Sequence, residues 1–172
     1  MVVRTDADFT EYFAARAVPL RRFAFALCGD WHTADDLVQA TFVKLYQHWR
    51  RTQPESLDAY TRRILVNTFL SHRRDRRRET LVADPPDAAA TAAEPGGDQE
   101  LGRALQRLPA RQRAAVVLRH LEDMSIAEVA ELLGMAEGTV KSQTARGVDA
   151  LRRALGTPAS TQPLQSTPSM EE

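Results

Sequence analysis

The sequence predicts an all-α fold of two small helical domains joined by a flexible acidic linker, and three observations carry that reading. Apolar residues recur at intervals of three and four through residues 8 to 76 and again from about 99 to 155, the spacing of helices with one buried face. Residues 80 to 98, TLVADPPDAAATAAEPGGD, hold Pro-Pro, Gly-Gly and acids but few large apolar side chains, a composition that cannot build a core. The stretch from Ser125 to Leu155 reads as a helix-turn-helix.

The first helix runs from Asp8 to about Leu27, with Phe9, Tyr12, Phe13, Val18, Leu20, Phe23, Ala26 and Leu27 apolar. Pro19 is expected to kink or divide it, because proline removes a backbone donor and crowds the preceding turn. After the break at Cys28-Gly29-Asp30, Thr33 is the candidate cap of a second helix that buries Val38, Phe42, Leu45 and Trp49. Asp35, Asp36, Gln39, Val43 and Gln47 then face outward. A third helix extends from Leu57 to about Arg76, with Leu57, Tyr60, Ile64, Leu65, Phe69 and Leu70 apolar and Tyr60 and Phe69 assigned to the core. It ends in HRRDRRR. That is more cationic charge than a helix C-terminus needs for its dipole, so phosphate neutralisation is the better reading.

In the second half, Leu101, Leu105 and Leu108 form a short helix and Pro109 suits the first turn of the next. Val116, Val117, Leu118 and Leu121 are expected to pack that helix onto the helix-turn-helix. Ser125 and Glu128 make a capping box, Gly134 supplies a turn conformation that glycine adopts cheaply, and Ala130 is small where the next helix must cross. The last helix turns Val140, Gly147, Val148 and Leu151 inward and shows Lys141, Ser142, Gln143 and Arg146. Cationic and amide side chains on an exposed second helix are the types that bind phosphates and read base edges in the major groove. The boundaries that follow are a first domain over 1–79, a linker over 80–98, a second domain over 99–156 and a disorder-like tail over 157–172.

The formal net charge is zero, but the charges are segregated. Arg62, Arg63, Arg73, Arg74, Arg76, Arg77 and Arg78 crowd one segment, and no Lys or Arg stands between Glu79 and Gly102. A basic patch therefore sits beside an acidic tether. Cys28 is the single cysteine, which fits a reducing cytoplasm and a small core residue better than a disulfide framework. No apolar run approaches the length needed to cross a bilayer or to serve as a signal peptide. An enzyme reading finds no support: His32, His48, His72 and His120 are scattered, no Gly-rich loop follows a strand, and no catalytic, metal or cofactor constellation is visible. A serine recombinase should begin with strand-rich sequence. A conventional regulator with an N-terminal sensing or dimerising domain and a C-terminal helix-turn-helix is the closer alternative, and it predicts binding to duplex operator alone and as a dimer.

Three segments resemble one family in combination. ADDLVQATFVKLYQHW (34 to 49) is similar to region 2 of the extracytoplasmic-function (ECF) group of bacterial sigma factors, YTRRILVNTFLSHRRDRRR (60 to 78) to their regions 2.3 to 2.4, and residues 108 to 155 to their region 4. The order LPxxQR, SIAEVAELLG, GTVKS is the specific part. The resemblance implies a dissociable RNA polymerase subunit that supplies promoter recognition, with core polymerase, through its clamp coiled coil and flap, and promoter DNA as partners. It implies polymerase contacts at Asp35, Asp36, Leu37, Gln39, Phe42 and Lys44, although periodicity alone puts Phe42 in the core. Asn67, Arg62, Arg63, Arg73 and Arg74 correspond to the element that captures the melted -10 strand, and Thr139, Lys141, Ser142, Gln143 and Arg146 to the one that meets the -35 duplex. Many relatives are held inactive by an anti-sigma factor, and the linker would permit such clamping. The sequence departs from the family's usual pattern at Ala40, Ala136, Gln143, Thr144 and Gly147. An interior glycine costs about 1 kcal/mol against alanine, so Gly147 is expected to loosen the last helix.

Overall fold

The computed structural model describes residues 4–51, 57–80 and 99–156, so the expectations for the linker after residue 80 and for the tail after residue 156 lie outside the described residues. Thr5 opens the first helix through a reciprocal box with Asp8, and α1 (Asp6–Cys28) then runs unbroken to a left-handed Gly29. Pro19 does not divide it. Pro19 and Ala15, whose carbonyl loses its helical donor, are both exposed, so water can take the orphaned acceptor. Asp30, not Thr33, caps α2 (Trp31–His48): its carboxylate accepts from the backbone N–H and the hydroxyl of Thr33, both at 2.7 Å. A 3-10 turn, Trp49–Arg51, buries Trp49, whose indole donates to the Thr5 carbonyl at 2.9 Å. The long α3 (Leu57–Thr80) completes the first half.

The core of this half has the expected composition. Val38, Phe42 and Leu45 are buried along one stripe of α2 that Trp49 continues in the 3-10 turn, and Leu65, Val66 and Phe69 of α3 are fully buried. Phe9 meets the rings of Phe42 and Trp49 edge-on at 6.2 and 5.2 Å, a favoured aromatic geometry. The Tyr12 hydroxyl donates to Asp58 at 2.8 Å, which ties α1 to the start of α3, and burial pushes its pKa up to about 12. Cys28 donates to the Asp30 carbonyl at 3.2 Å, and burial raises its thiol to about 11, as suits a packing residue that stays protonated.

The second half holds α4 (Gln99–Gln106), α5 (Ala110–His120), α6 (Ile126–Leu133) and α7 (Glu137–Ala154). Leu108 lies past the end of α4 yet is buried, and Pro109 stands at the N-cap of α5, one position before the first turn. Val116, Val117 and Leu118 are buried as expected. Leu121 is not: it follows the last residue of α5 and is 53% exposed. The Ser125–Glu128 capping box forms, Gly134 closes α6 at φ 61°, and Ala136 begins α7 without a side-chain cap.

The two halves pack on each other through Arg113, which is 1% exposed. Its guanidinium donates to the carbonyls of Gln106 and Leu108 at 3.1 and 3.0 Å, to the Gln106 side-chain oxygen, and across the halves to the carbonyl of Leu27 at the end of α1. Burial first, and the charge of Arg73 second, lower its pKa to about 10. Arg113 therefore stays charged near neutrality and is balanced by carbonyl oxygens instead of a carboxylate. Replacing Arg113 by Met keeps bulk and removes the donors, and each orphaned buried acceptor costs about 1–3 kcal/mol. With four acceptors orphaned, urea denaturation of Arg113→Met should show a loss of about 4 kcal/mol or more; a loss below about 1 kcal/mol would mean that packing alone holds the α4–α5 corner.

Candidate functional site

Three faces carry the side chains singled out from the sequence. The first is the outer face of α7, where Thr139, Lys141, Ser142 and Arg146 are exposed; Gln143 is half-buried at its edge, toward α5. The helix is presented because Val140 and Gly147 bury its inner face against α5 and α6. Ser142 donates to the Thr139 carbonyl at 3.0 Å, and Gln143 accepts from the side chain of Gln112 on α5 at 3.2 Å. A helix so displayed, with cations at 141 and 146 and hydrogen-bonding groups between them, suits a major groove about 12 Å wide.

The second face is a stripe on α3. Arg63, Asn67 and Arg74 follow one another by four and seven residues and so line one side of the helix. Asn67, Arg73 and Arg74 are exposed. Arg62 and Arg63 are engaged by the other half: Arg62 pairs with Glu122 and Arg63 with Glu131, each at 2.6 Å. Both acids escaped the sequence reading. Nothing local marks a pair whose members stand 60 or 68 residues apart.

The third face is a groove of about 840 Å³ between α1 and α2. Phe9, Val38 and Phe42 form its floor, and Phe13, Val18, Val43 and Tyr46 stand on it 44 to 59% exposed. Gln39, Gln47 and the Arg21–Asp35 ion pair contribute polar lining. Four large apolar side chains exposed in one place mark an interaction surface. The sequence held a signal for it, since α1 is apolar over an arc too wide for one partner: Phe9, Phe13 and Ala17 recur every four residues beside the inward Leu20, Phe23 and Leu27.

Residues 13–79 match Sigma-70 region 2, and residues 98–151 match Sigma-70, region 4. The RNA polymerase sigma-E factor of Streptomyces coelicolor is 38% identical over 152 residues, covering 86% of each chain. The ECF RNA polymerase sigma factor SigM of Mycobacterium tuberculosis is 34% identical over 86% of this chain and 77% of its own. The chain belongs to the ECF group of RNA polymerase sigma factors. Among solved structures, the sigma factor RpoE of Bartonella quintana, in complex with the anti-sigma factor NepR, superposes with a TM-score of 0.77 at 31% identity, over 87% of this chain and 98% of that one.

As a sigma factor, the chain directs promoter-specific transcription initiation, and its two matched regions are the two helical halves. The structure sorts the polymerase-contact set that the resemblance implied. Asp35, Asp36, Gln39 and Lys44 are exposed on α2. Leu37 is 3% exposed and lies beside Val38 on the buried side of α2. Phe42 is 4% exposed, as its periodicity indicated, so it shapes the groove floor without standing on the surface. Val18, Val43 and Tyr46 are exposed apolar side chains of the groove that the resemblance did not supply.

The expectation for Gly147 also changes. A Cβ there would come within 2.4 Å of the Val116 side chain and 3.3 Å of Gln112, so the glycine is a close-contact residue between α7 and α5. Forcing bulk into a filled contact costs about 1–3 kcal/mol, more than the roughly 1 kcal/mol of helix propensity that alanine regains. Gly147→Ala should therefore lower the thermal midpoint of this sigma factor, as followed by circular dichroism. A rise would show that Val116 moves aside freely.

Proposed function

We propose that the two halves of this sigma factor divide the promoter between them. Residues 1–79 dock the clamp coiled coil of core RNA polymerase and hold the melted -10 strand, and residues 99–156 meet the flap and the -35 duplex. The observation that carries this reading is one chain with an apolar groove beside two separate cation-bearing helix faces. The groove on α1 and α2 suits an amphipathic helical element of polymerase, with Asp35, Asp36, Gln39 and Lys44 as polar contacts. The stripe through Asn67 and Arg74, with Arg73 beside it, suits an unpaired strand, which needs cations along its backbone and a hydrogen-bonding group for an extruded base. Lys141 and Arg146 serve as phosphate or guanine partners, and Thr139, Ser142 and Gln143 as adaptable contacts.

The reading requires the halves to separate on DNA. Elements centred near -35 and -10 lie about 25 base pairs apart, or about 85 Å of duplex at 3.4 Å per pair. The longer helices of the two halves run only about 25–35 Å at 1.5 Å per residue. The packed arrangement is thus the DNA-free form, in which Glu122 and Glu131 occupy Arg62 and Arg63. Exposed pairs such as Arg63–Glu131 are worth about 0.2–1 kcal/mol, so docking on polymerase has little electrostatic work to do there. An anti-sigma factor is a third kind of partner, as NepR is for RpoE. Among the described residues no helix is long and apolar enough to cross a membrane, and the cytoplasm is where this function belongs.

Run-off transcription from a promoter-containing genomic library, with purified core polymerase and with or without this chain, tests the reading directly. Transcripts should depend on the chain; none from any fragment would overturn it. In the same assay Val43→Asp should weaken core binding at least about tenfold, the worth of one buried aliphatic side chain. Arg73→Ala with Arg74→Ala should instead spare core binding and reduce permanganate-reactive open complex. Equal loss in both measurements would refute the strand-holding role.

Reversing the two acids tests the DNA-free form. Glu122→Lys with Glu131→Lys places cations against Arg62 and Arg63, and small-angle scattering should report a larger radius of gyration than for the unaltered chain. Superimposable curves would mean that these pairs do not restrain the halves.

A further inference from the structure

We propose that Gln112, on α5 beside the -35 reader, fixes which hydrogen-bonding function Gln143 offers to a base, so that a residue of the neighbouring helix sets specificity at one promoter position. The inference rests on the reading of α7 as the duplex-reading helix.

Gln143 and Gly147 are one turn apart on α7 and so share a face. Because residue 147 has no side chain, the stem of Gln112 can lie across α7, with its Cγ only 3.3 Å from where a Cβ would stand. The same stem carries its amide to Gln143, whose side-chain oxygen accepts from the Gln112 amide nitrogen at 3.2 Å. Gln143 is half-buried between exposed Ser142 and half-buried Thr144, and the contact is itself part-buried.

A glutamine side chain has one acceptor oxygen and one donor NH2 group. Pairing with adenine in the major groove uses both, to N7 and N6. A tether that turns one end toward α5 leaves only the other end facing the groove, so the amide can no longer lie edge-on to both adenine atoms. With its oxygen turned to Gln112, Gln143 presents its NH2 group to the groove, and it favours bases that present acceptors there: guanine through O6 and N7, or thymine through O4. Discrimination at this position therefore belongs to the pair of glutamines. Gln112 is a positioning residue, because it acts through Gln143.

Two substitutions at residue 112 separate this role from packing. Gln112→Ala frees Gln143 to make both adenine bonds. Gln112→Glu puts a carboxylate, which only accepts, against Gln143, so the amide must turn its NH2 inward and its oxygen outward; the favoured bases become those that present a donor, adenine or cytosine.

The test uses holoenzyme assembled from the full chain and core polymerase, transcribing a promoter library randomised across the -35 region, with transcripts counted by sequencing. Gln143→Ala should flatten base preference at one position. At that same position the unaltered chain should favour guanine or thymine, Gln112→Ala should raise adenine about tenfold relative to them, as one bidentate pair allows, and Gln112→Glu should move preference to adenine or cytosine. A lowered yield with unchanged preference in both residue-112 variants would overturn the inference while leaving the -35 reading intact. So would a Gln143→Ala profile equal to that of the unaltered chain. Transcripts independent of the -35 sequence in every holoenzyme would overturn both.

Discussion

A cation without an anion holds the molecule's central corner. Arg113 sits among carbonyl oxygens at the ends of α1 and α4 and in the turn before α5, where helix dipoles place their negative ends. Removing a guanidinium from water is costly, and the depression of its pKa to about 10 records that cost. Folding favours the uncharged form only as pH rises past that value, so at neutrality the group remains charged and its hydrogen bonds offset the desolvation. What it gains is placement. Gln106, Leu108 and Leu27 are fixed about one side chain, and α5 is thereby set against α1.

From that corner the arginines of α3 divide into two sets. Residues 11 apart on a helix lie within about 20° of each other, so Arg62 shares a side with Arg73, and Arg63 with Arg74. The first pair of positions falls beneath the second half and meets Glu122 and Glu131, while the second lies three turns on and is exposed. One stripe is therefore capped at one end and open at the other. A chain with no net charge can in this way hold a strongly basic helix without presenting all of it.

Features written in local chemistry were legible in the sequence. The Ser125–Glu128 box and the left-handed Gly134 act over a few residues and appear where the sequence places them. So do the buried stripe of α2 and the buried Phe69. Where two local signals competed, the nearer donor geometry decided: Asp30 caps α2 because its carboxylate reaches both the amide and the hydroxyl of Thr33. Pro19 was overridden by position, as its lost bond falls on the exposed side of α1. The remainder was not legible because it depends on distant contacts. Arg62 finds its acid 60 residues away, the groove requires two helices to leave apolar side chains uncovered together, and Gly147 reads as a helix weakness until Val116 is brought against it.

The same geometry reconciles a firm corner with the proposed separation of the halves. Of the bonds that Arg113 makes, those to Gln106 and Leu108 lie within the second half, and the one to Leu27 crosses to the first. The Gln106 amide also crosses, to the Ala26 carbonyl at 3.4 Å, and its side chain fills the space beside Gly29. Separation would expose these crossing acceptors to water, which can satisfy them, while the bonds that define the α4–α5 corner persist. Because α5 keeps that brace, Val116 and Gln112 keep their positions against Gly147 and Gln143. On the proposed reading, separation would free Arg62 and Arg63 of α3 without loosening α7.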